Sequence, residues 1–443
     1  MSEVTRKFIP QRKENPESSL QKCISVLRAA KNDTEQFAAL LLVTQLVHSN
    51  EIDGLERRQL FDAIGFKFIN RLLNTRNVPS DCPAQVYNSL ALTILACFSS
   101  DEELCVHPEM IKKIPLFLDG IFISAETGVS EASVEDCFQI IASFACSSTG
   151  CRHLVENGAF SKLARVVSEN RDEKYTKKAL ETLLRILNND PHVFWQKQRD
   201  ALLEALNGLS QRLSEAHDNT KFELCNYVVL FLSGAEKSVF QGGENRWLAG
   251  VYKGLNDILQ SRISSEQRNP AIILLSAVTE LVGMDWMIEF SRQQSPGLYI
   301  LSLTIVSVEI RMILDGKTAA EIVNKATLVC SCFNILEKAI NFAIVNAGHS
   351  SNRKLPAIVL DGLPKVYSLA TESIHSIVMF LDHVAQVGTT ITGQEQHVVL
   401  ASVRVLCAWM AEETAVLQDD ICRLLPFLLK LGKESLNASK GIN

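Results

Sequence analysis

Gly316-Lys317-Thr318 spells the tail of a phosphate-binding loop. Such a loop wraps backbone N–H groups around phosphates and needs a leading glycine, but Arg311 stands in that place. The triad therefore reads as a turn before a helix. Cys146, Cys151 and His153 lie close together, and Cys330 and Cys332 are two apart. A structural zinc site draws four convergent ligands from paired knuckles. On a helix Cys330 and Cys332 would point about 200° apart. Buried thiols and an ordinary surface histidine are the plainer reading, and no metal or cofactor is expected. His375 and His383 share one helical face, with Asp382 beside them. They could form a pH switch, or a polar stripe on a helix carrying Ile374, Ile377, Val378 and Leu381. Phe194 and Trp195 near Pro191 could anchor a partner or staple a corner between helices. The chain contains no Gly-x-Ser-x-Gly elbow, His-Glu-x-x-His pair or dinucleotide glycine fingerprint. No catalytic residue is assigned, and the chain is not expected to be an enzyme.

The elements that must position these residues are helical. The chain has 21 glycines and 12 prolines in 443 residues, below the usual shares of about 7% and 5%. Both residues break helices, so their scarcity favours long helices with short connections. A hydrophobic fraction of 47% with 21% charge supplies a buried core and excludes wholesale disorder. A net charge of −6 lacks the basic footprint of a nucleic-acid binder. The first ten residues carry charges and a proline but no apolar run, so a secretory leader is not expected. Reduced cysteines inside helical patterns (Cys97, Cys137, Cys225, Cys407) and a cytoplasmic location follow as expectations. The apolar stretch Leu298 to Val308 is too short for a bilayer and predicts a buried core helix.

Helical periodicity runs nearly throughout. Thr34 to Val47 follows the capping trio Asn32-Asp33-Thr34. Arg57 to Leu73 repeats Leu60, Phe61, Ile64, Phe68 and Leu72, and Tyr175 to Leu187 repeats Leu180, Leu183, Leu184 and Leu187. Two segments match without gaps at an offset of 311 residues. Leu92, Ile94, Leu95 and Phe98 fall on Val403, Val405, Leu406 and Trp409, and Ile114 to Leu118 falls on Leu425 to Leu429. Each unit predicts a long apolar helix, an acidic corner, a short helix and a proline-started helix. A third unit runs from Val134 through Phe138, Ile141 and Phe144. Its stretch from Gly150 to Leu163 resembles the middle of an armadillo repeat, with Gly158 at the sharp bend. Spacings of about 40 to 48 residues suit that class. The expected fold is all-α, an armadillo/HEAT-like right-handed superhelix. The expected domains are a flexible N-terminus over 1–16, a continuous solenoid over 17–436 and a flexible tail over 437–443.

Four ordered blocks carry a closer resemblance: Ala30 to Thr44, Lys221 to Cys225, Gln267 to Ala271, and Ser402 to Thr414. They are similar to blocks of the neurochondrins, in the N-terminal part of those longer chains. The resemblance implies a cytosolic, neuron-enriched helical adaptor that binds receptor cytoplasmic tails. It also implies restraint of calcium/calmodulin-dependent protein kinase II phosphorylation and promotion of neurite outgrowth. Mammalian members carry an early lipidated cysteine pair, whereas the first cysteine here is Cys23, so membrane attachment is not expected to be more than peripheral. The competing expectation is an importin-like transport adaptor, which would need a repeating Trp–Asn ladder. On the helix from Val399 to Met410, the spacing puts Leu400, Val403, Leu406, Cys407 and Met410 on the apolar face. Arg404, Ala408 and Glu412 then form a stripe away from it, with Trp409 on its flank. Arg404, Trp409 and Glu412 are the candidate protein-binding residues. The plainer alternative buries Trp409 and pairs Arg404 locally.

Overall fold

The computed structural model describes residues 16–49, 53–74, 84–122, 130–242, 245–291, 297–348, 357–387, 393–413 and 415–440. The expected flexible N-terminus lies outside them up to residue 15, as do the last three residues of the expected tail. Contacts divide the chain into two compact units, Met1–Asp190 and Pro191–Asn443. The first holds α1 Pro16–Ala29, α2 Asp33–Ser49, α3 Gly54–Asn74, α4 Ala84–Ser99, α5 Glu102–Cys105 and α6 Pro108–Ile111. It continues with α7 Ile114–Gly120, α8 Glu131–Phe144, α9 Ser148–Glu156, α10 Ala159–Glu169 and α11 Glu173–Leu187. The second holds α12 Pro191–Lys197, α13 Arg199–Glu215, α14 Thr220–Leu232, α15 Lys237–Phe240, α16 Trp247–Gln260, α17 Ser265–Val282 and α18 Asp285–Ser291. It ends with α19 Leu298–Leu314, α20 Ala319–Ile322, α21 Ala326–Gly348, α22 Ala357–Val387, α23 Gln394–Met410 and α24 Gln418–Lys440. Among the described residues there is no strand. The fold is all-α.

Short polar side chains start these helices. Asn32 Oδ1 accepts from the N–H of Glu35 at 2.9 Å, while the Glu35 carboxylate accepts from the N–H of Lys31 at 2.8 Å. Two unpaired N–H groups at the head of α2 are thus satisfied reciprocally. Asp101 caps α5 by accepting from the N–H groups of Glu103 and Leu104, and Asp172 caps α11 by accepting from those of Lys174 and Tyr175. The Pro115 start of α7 is as expected. Its counterpart Pro426 is not, since it lies inside α24. The second unit has fused the short and proline-started helices, so the carbonyl one turn before Pro426 loses its N–H partner. The predicted helix from Arg57 is also interrupted, at Gly65 with φ 64°, which resets the phase so that Phe66, Phe68, Ile69 and Leu72 turn inward.

The repeat shows directly in the hydrogen bonds between layers. Arg58 pairs with Asp101 at 3.0 Å, Thr93 with Asp136 at 2.7 Å, and Lys178 with Glu135, each across 43 residues. In the second unit Trp195 donates to the Phe231 carbonyl across 36 residues, and Tyr299 to that of Ala339 across 40. Each side chain reaches the equivalent place one repeat on, as stacking of one supersecondary unit on the next requires. Further on the span grows: Asn334 of α21 reaches Ser276 of α17 across 58 residues, with α18, α19 and α20 between them. The first unit stacks α4 on α8 and the second stacks α13 on α16, α14 on α17, and α17 on α21.

Phe98, Phe117, Phe138, Phe144 and Phe160 fill the first core, and Trp195, Trp247, Phe231 and Phe333 the second. Leu298–Leu314 is the expected core helix. The stretch Ala319–Val345 is long and apolar enough to cross a membrane, and half of its most apolar window is buried within the protein. It carries Cys332, Ile335, Leu336 and Ala339 into the core against α17 and α23. Phe37 is half-buried rather than central, stacked on Tyr87 with ring centroids 4.6 Å apart. Cys97, Cys137 and Cys225 are buried as expected, but Cys407 and Cys146 are exposed. Burial pushes the Cys137 and Cys225 thiols up to about 12, so both stay protonated packing groups.

Candidate functional site

Of the three residues singled out at α23, Arg404 and Glu412 are exposed as expected, and Trp409 is not. The buried positions are Val398, Val399, Ser402, Val405, Leu406 and Trp409, a face rotated from the predicted one. Trp409 is 3% exposed and packs on Tyr367, with ring centroids 5.6 Å apart. It cannot offer its ring to a partner. Arg404 is exposed, and its guanidinium pairs with Glu337 on α21 at 2.9 Å. Glu412 is exposed at the corner after α23. Its neighbour Glu413 does the work there, accepting from the N–H of Ala415 at 2.9 Å and from the Tyr367 hydroxyl at 2.8 Å. The 311-residue offset already held the correction: Trp409 falls on Phe98, which is fully buried.

Tryptophan is inside everywhere. Trp195, Trp247, Trp286 and Trp409 are each at most 3% exposed, so they cannot form the exposed ladder of an importin-like reader. Trp195 staples the corner after Pro191, donating Nε1–H to the Phe231 carbonyl at 3.1 Å and stacking edge-on to Phe240. Ile374, Ile377, Val378 and Leu381 are buried, leaving His375 and His383 on the exposed side of α22. Both histidines line a cleft of about 660 Å³ together with Arg311, Met312, Lys317 and Met379. The cations there are partly neutralised, because Arg311 pairs with Glu372 at 2.9 Å and Lys317 with Glu321 at 3.5 Å. Thr318 is committed to a capping box with Glu321, so the Gly316 turn starts a helix. Among the described residues no three His, Cys, Asp or Glu side chains converge as a metal site. Cys146, Cys151 and His153 do not converge with one another there.

The first unit holds a different cleft, also of about 660 Å³, that sequence periodicity does not reveal. It is walled by α2, α3, α4, α7 and α8. Leu41, Val86 and Leu116 line it and are 40%, 39% and 44% exposed, with Leu73, Leu90 and Leu92 beside them. Apolar side chains left this open are what a partner's apolar residue would cover. Asp119 is the carboxylate in the lining, and it is paired with Lys162 on α10. Cys137 contributes a thiol that burial keeps protonated. Such a cleft can exclude water from a bound segment. Among the described residues its lining presents no positioned acid–base pair.

A family model described as Neurochondrin matches residues 14–442. The neurochondrin of Gallus gallus is 35% identical over 423 residues, covering 94% of this chain and 57% of the relative. That of Homo sapiens is 35% identical over 424 residues, covering 94% and 54%. A neurochondrin homolog of Drosophila melanogaster is 29% identical over 431 residues, covering 95% and 57%. The chain spans about half the length of the curated relatives it matches. The crystal structure of SYS-1 is similar at a TM-score of 0.43 and 10% identity, over 92% of this chain and 88% of that one.

Proposed function

This chain belongs to the neurochondrin family, and from that premise we propose that it is a non-enzymatic adaptor that holds segments of signalling proteins against a helical-repeat surface. In this reading its partners are receptor cytoplasmic tails and calcium/calmodulin-dependent protein kinase II. It restrains phosphorylation of the kinase and promotes neurite outgrowth, acting in the cytosol of neuronal cell bodies and dendrites. The observation that carries the reading is the open apolar cleft on α2, α4, α7 and α8, whose carboxylate is already neutralised by Lys162. Apolar anchors in a cleft provide most of the energy of peptide capture, while paired charges at its edge add little. Cys23 is half-buried in α1 and is a poor candidate for a lipid anchor.

The adaptor reading makes a stoichiometric claim. Purified chain added to the activated kinase slows its autophosphorylation in proportion to the molar ratio, saturating once the chain exceeds the kinase. Loss of kinase phosphate at a few per cent of the kinase concentration would identify a catalyst and overturn the reading.

A further inference from the structure

α8 ends at Phe144, the corner that follows carries Cys146 outward, and α9 carries Cys151 inward. Cys146 is exposed, whereas Cys105 and Cys151 are 3% and 2% exposed. Cys105 ends α5, which packs against α8. Cys105 and Cys146 line the same cleft, of about 250 Å³, with Ser99, Glu102, Ser143 and Ser147. Donors on α11 and just past its end reach the sulfurs. Arg185 Nη1 donates to Cys146 Sγ at 3.7 Å, and Asn189 Nδ2 donates to Cys151 Sγ at 3.1 Å. Cys146 Sγ also donates to the Ala142 carbonyl at 3.3 Å, and its exposure opens it to an oxidant. Burial, with Cys146 nearby adding to it, pushes Cys105 up to about 12, so Cys105 stays a thiol at neutral pH. The two sulfurs thus differ in setting: one is exposed and accepts from a guanidinium, the other is buried in the same cleft.

We propose that Cys146 and Cys105 form a peroxide-sensitive thiol pair, with Cys146 as the attacking sulfur, Cys105 as its resolving partner and Arg185 as a positioning cation. The Cys146 thiolate attacks one oxygen of hydrogen peroxide; the S–O bond forms, the O–O bond breaks and hydroxide leaves. The Cys105 sulfur then attacks Cys146; the S–S bond forms, the S–O bond breaks and water leaves with the Cys105 proton. Two electrons pass from the two thiols to one peroxide. Cys105 ends a four-residue helix and Cys146 lies in a corner. Both sit where the chain can adjust to the Cα separation of about 4.4–6.8 Å that a disulfide needs.

The test uses the full chain with no substitution first. After a peroxide pulse and alkylation, Cys146 is expected to oxidise at least about threefold faster than the exposed Cys407 and Cys422 of the same molecule. Digestion without reduction should then release a Cys105–Cys146 linked peptide. In Cys105→Ala, Cys146 is expected to accumulate as a sulfenic acid that dimedone traps. In Arg185→Gln its rate falls toward that of Cys407, while Cys407 and Cys422 keep theirs. Equal oxidation rates for Cys146, Cys407 and Cys422 in the unsubstituted protein would overturn the proposal, as would a Cys146–Cys151 peptide or full oxidation of Cys146 with no linked product.

Discussion

Gly150→Ala tests the closest backbone approach in the first unit. A Cβ added at Gly150 would stand 2.1 Å from the Phe144 carbonyl oxygen and 2.9 Å from its carbon. That oxygen also accepts from the N–H of Ser147 at 3.3 Å, and the Phe144 side chain is fully buried. The obstacle is therefore backbone anchored at both ends, which cannot swing aside like the tip of a side chain. Alanine opposes the loss by favouring the helix over glycine by about 1 kcal/mol. Overpacking a tight site costs about 1–3 kcal/mol and occasionally more. With backbone as the obstacle the upper end applies, leaving a net loss of about 2 kcal/mol. For a unit of this size each kcal/mol shifts Tm by about 2–4 °C, so Tm is expected to fall by about 4–8 °C. Thermal unfolding followed by circular dichroism reads it. Gly432→Ala in α24 is the control of opposite sign, because its Cβ meets nothing within 4 Å and it gains up to about 1 kcal/mol. A neutral or stabilising Gly150→Ala would refute the close approach and the packing of α8 on α9.

Leu95→Ala should cost about 2–5 kcal/mol in chemical denaturation, since Leu95 is wholly buried and leaves a cavity. Phe37→Ala should cost clearly less, because Phe37 is half-buried; equal losses would sink the burial assignment. Arg404→Glu should lower stability by about 0.5–1 kcal/mol by facing Glu337 with a like charge. Adding Glu337→Arg should restore it, and an additive double variant would mean that the pair is not formed. Glu280 bonds Lys237 and Lys338, each at 3.0 Å. Burial alone would raise its pKa, but the two lysines outweigh that and hold it below the ordinary value. Its contribution is therefore present above the unfolded value of about 4.3 and is lost as pH falls through the folded one. Glu280→Gln should be less stable than the parent at pH 7, and the gap should close in acid; a gap that widens in acid would reverse the sign.

Much of the fold is legible in the sequence because helix signals are local. The Asn32 cap, the α11 periodicity and the Gly158 bend need only a few neighbouring residues, and Gly158 indeed opens α10 with φ 79°. The repeat is legible because stacked units must bury similar faces. What is not legible depends on phase. On α23 apolar residues are so many that two faces rotated by one position fit the spacing rule about equally. The expected flank position of Trp409 rests on that ambiguous phase, and only packing against α21 and Tyr367 decides it. The fused α24 is a similar case, since Pro426 reads as a start until the turn before it is seen to be helical. The first-unit cleft is out of reach of periodicity, because it arises where five helices fail to close over one another. The pairing of Arg185 with Cys146 spans 39 residues, one repeat, which spacing within a helix cannot show.

The proposed adaptor holds partner segments in the apolar cleft of its first unit. The most direct measurement is equilibrium binding of purified calcium/calmodulin-dependent protein kinase II to the unsubstituted chain and to Val86→Asp with Leu116→Asp. Both side chains are part-exposed on the cleft wall, so stability should change by less than about 1 kcal/mol. Affinity should fall at least about tenfold, equivalent to 1.4 kcal/mol. Binding that is undiminished in a folded variant, or absent from the unsubstituted chain, would contradict the account.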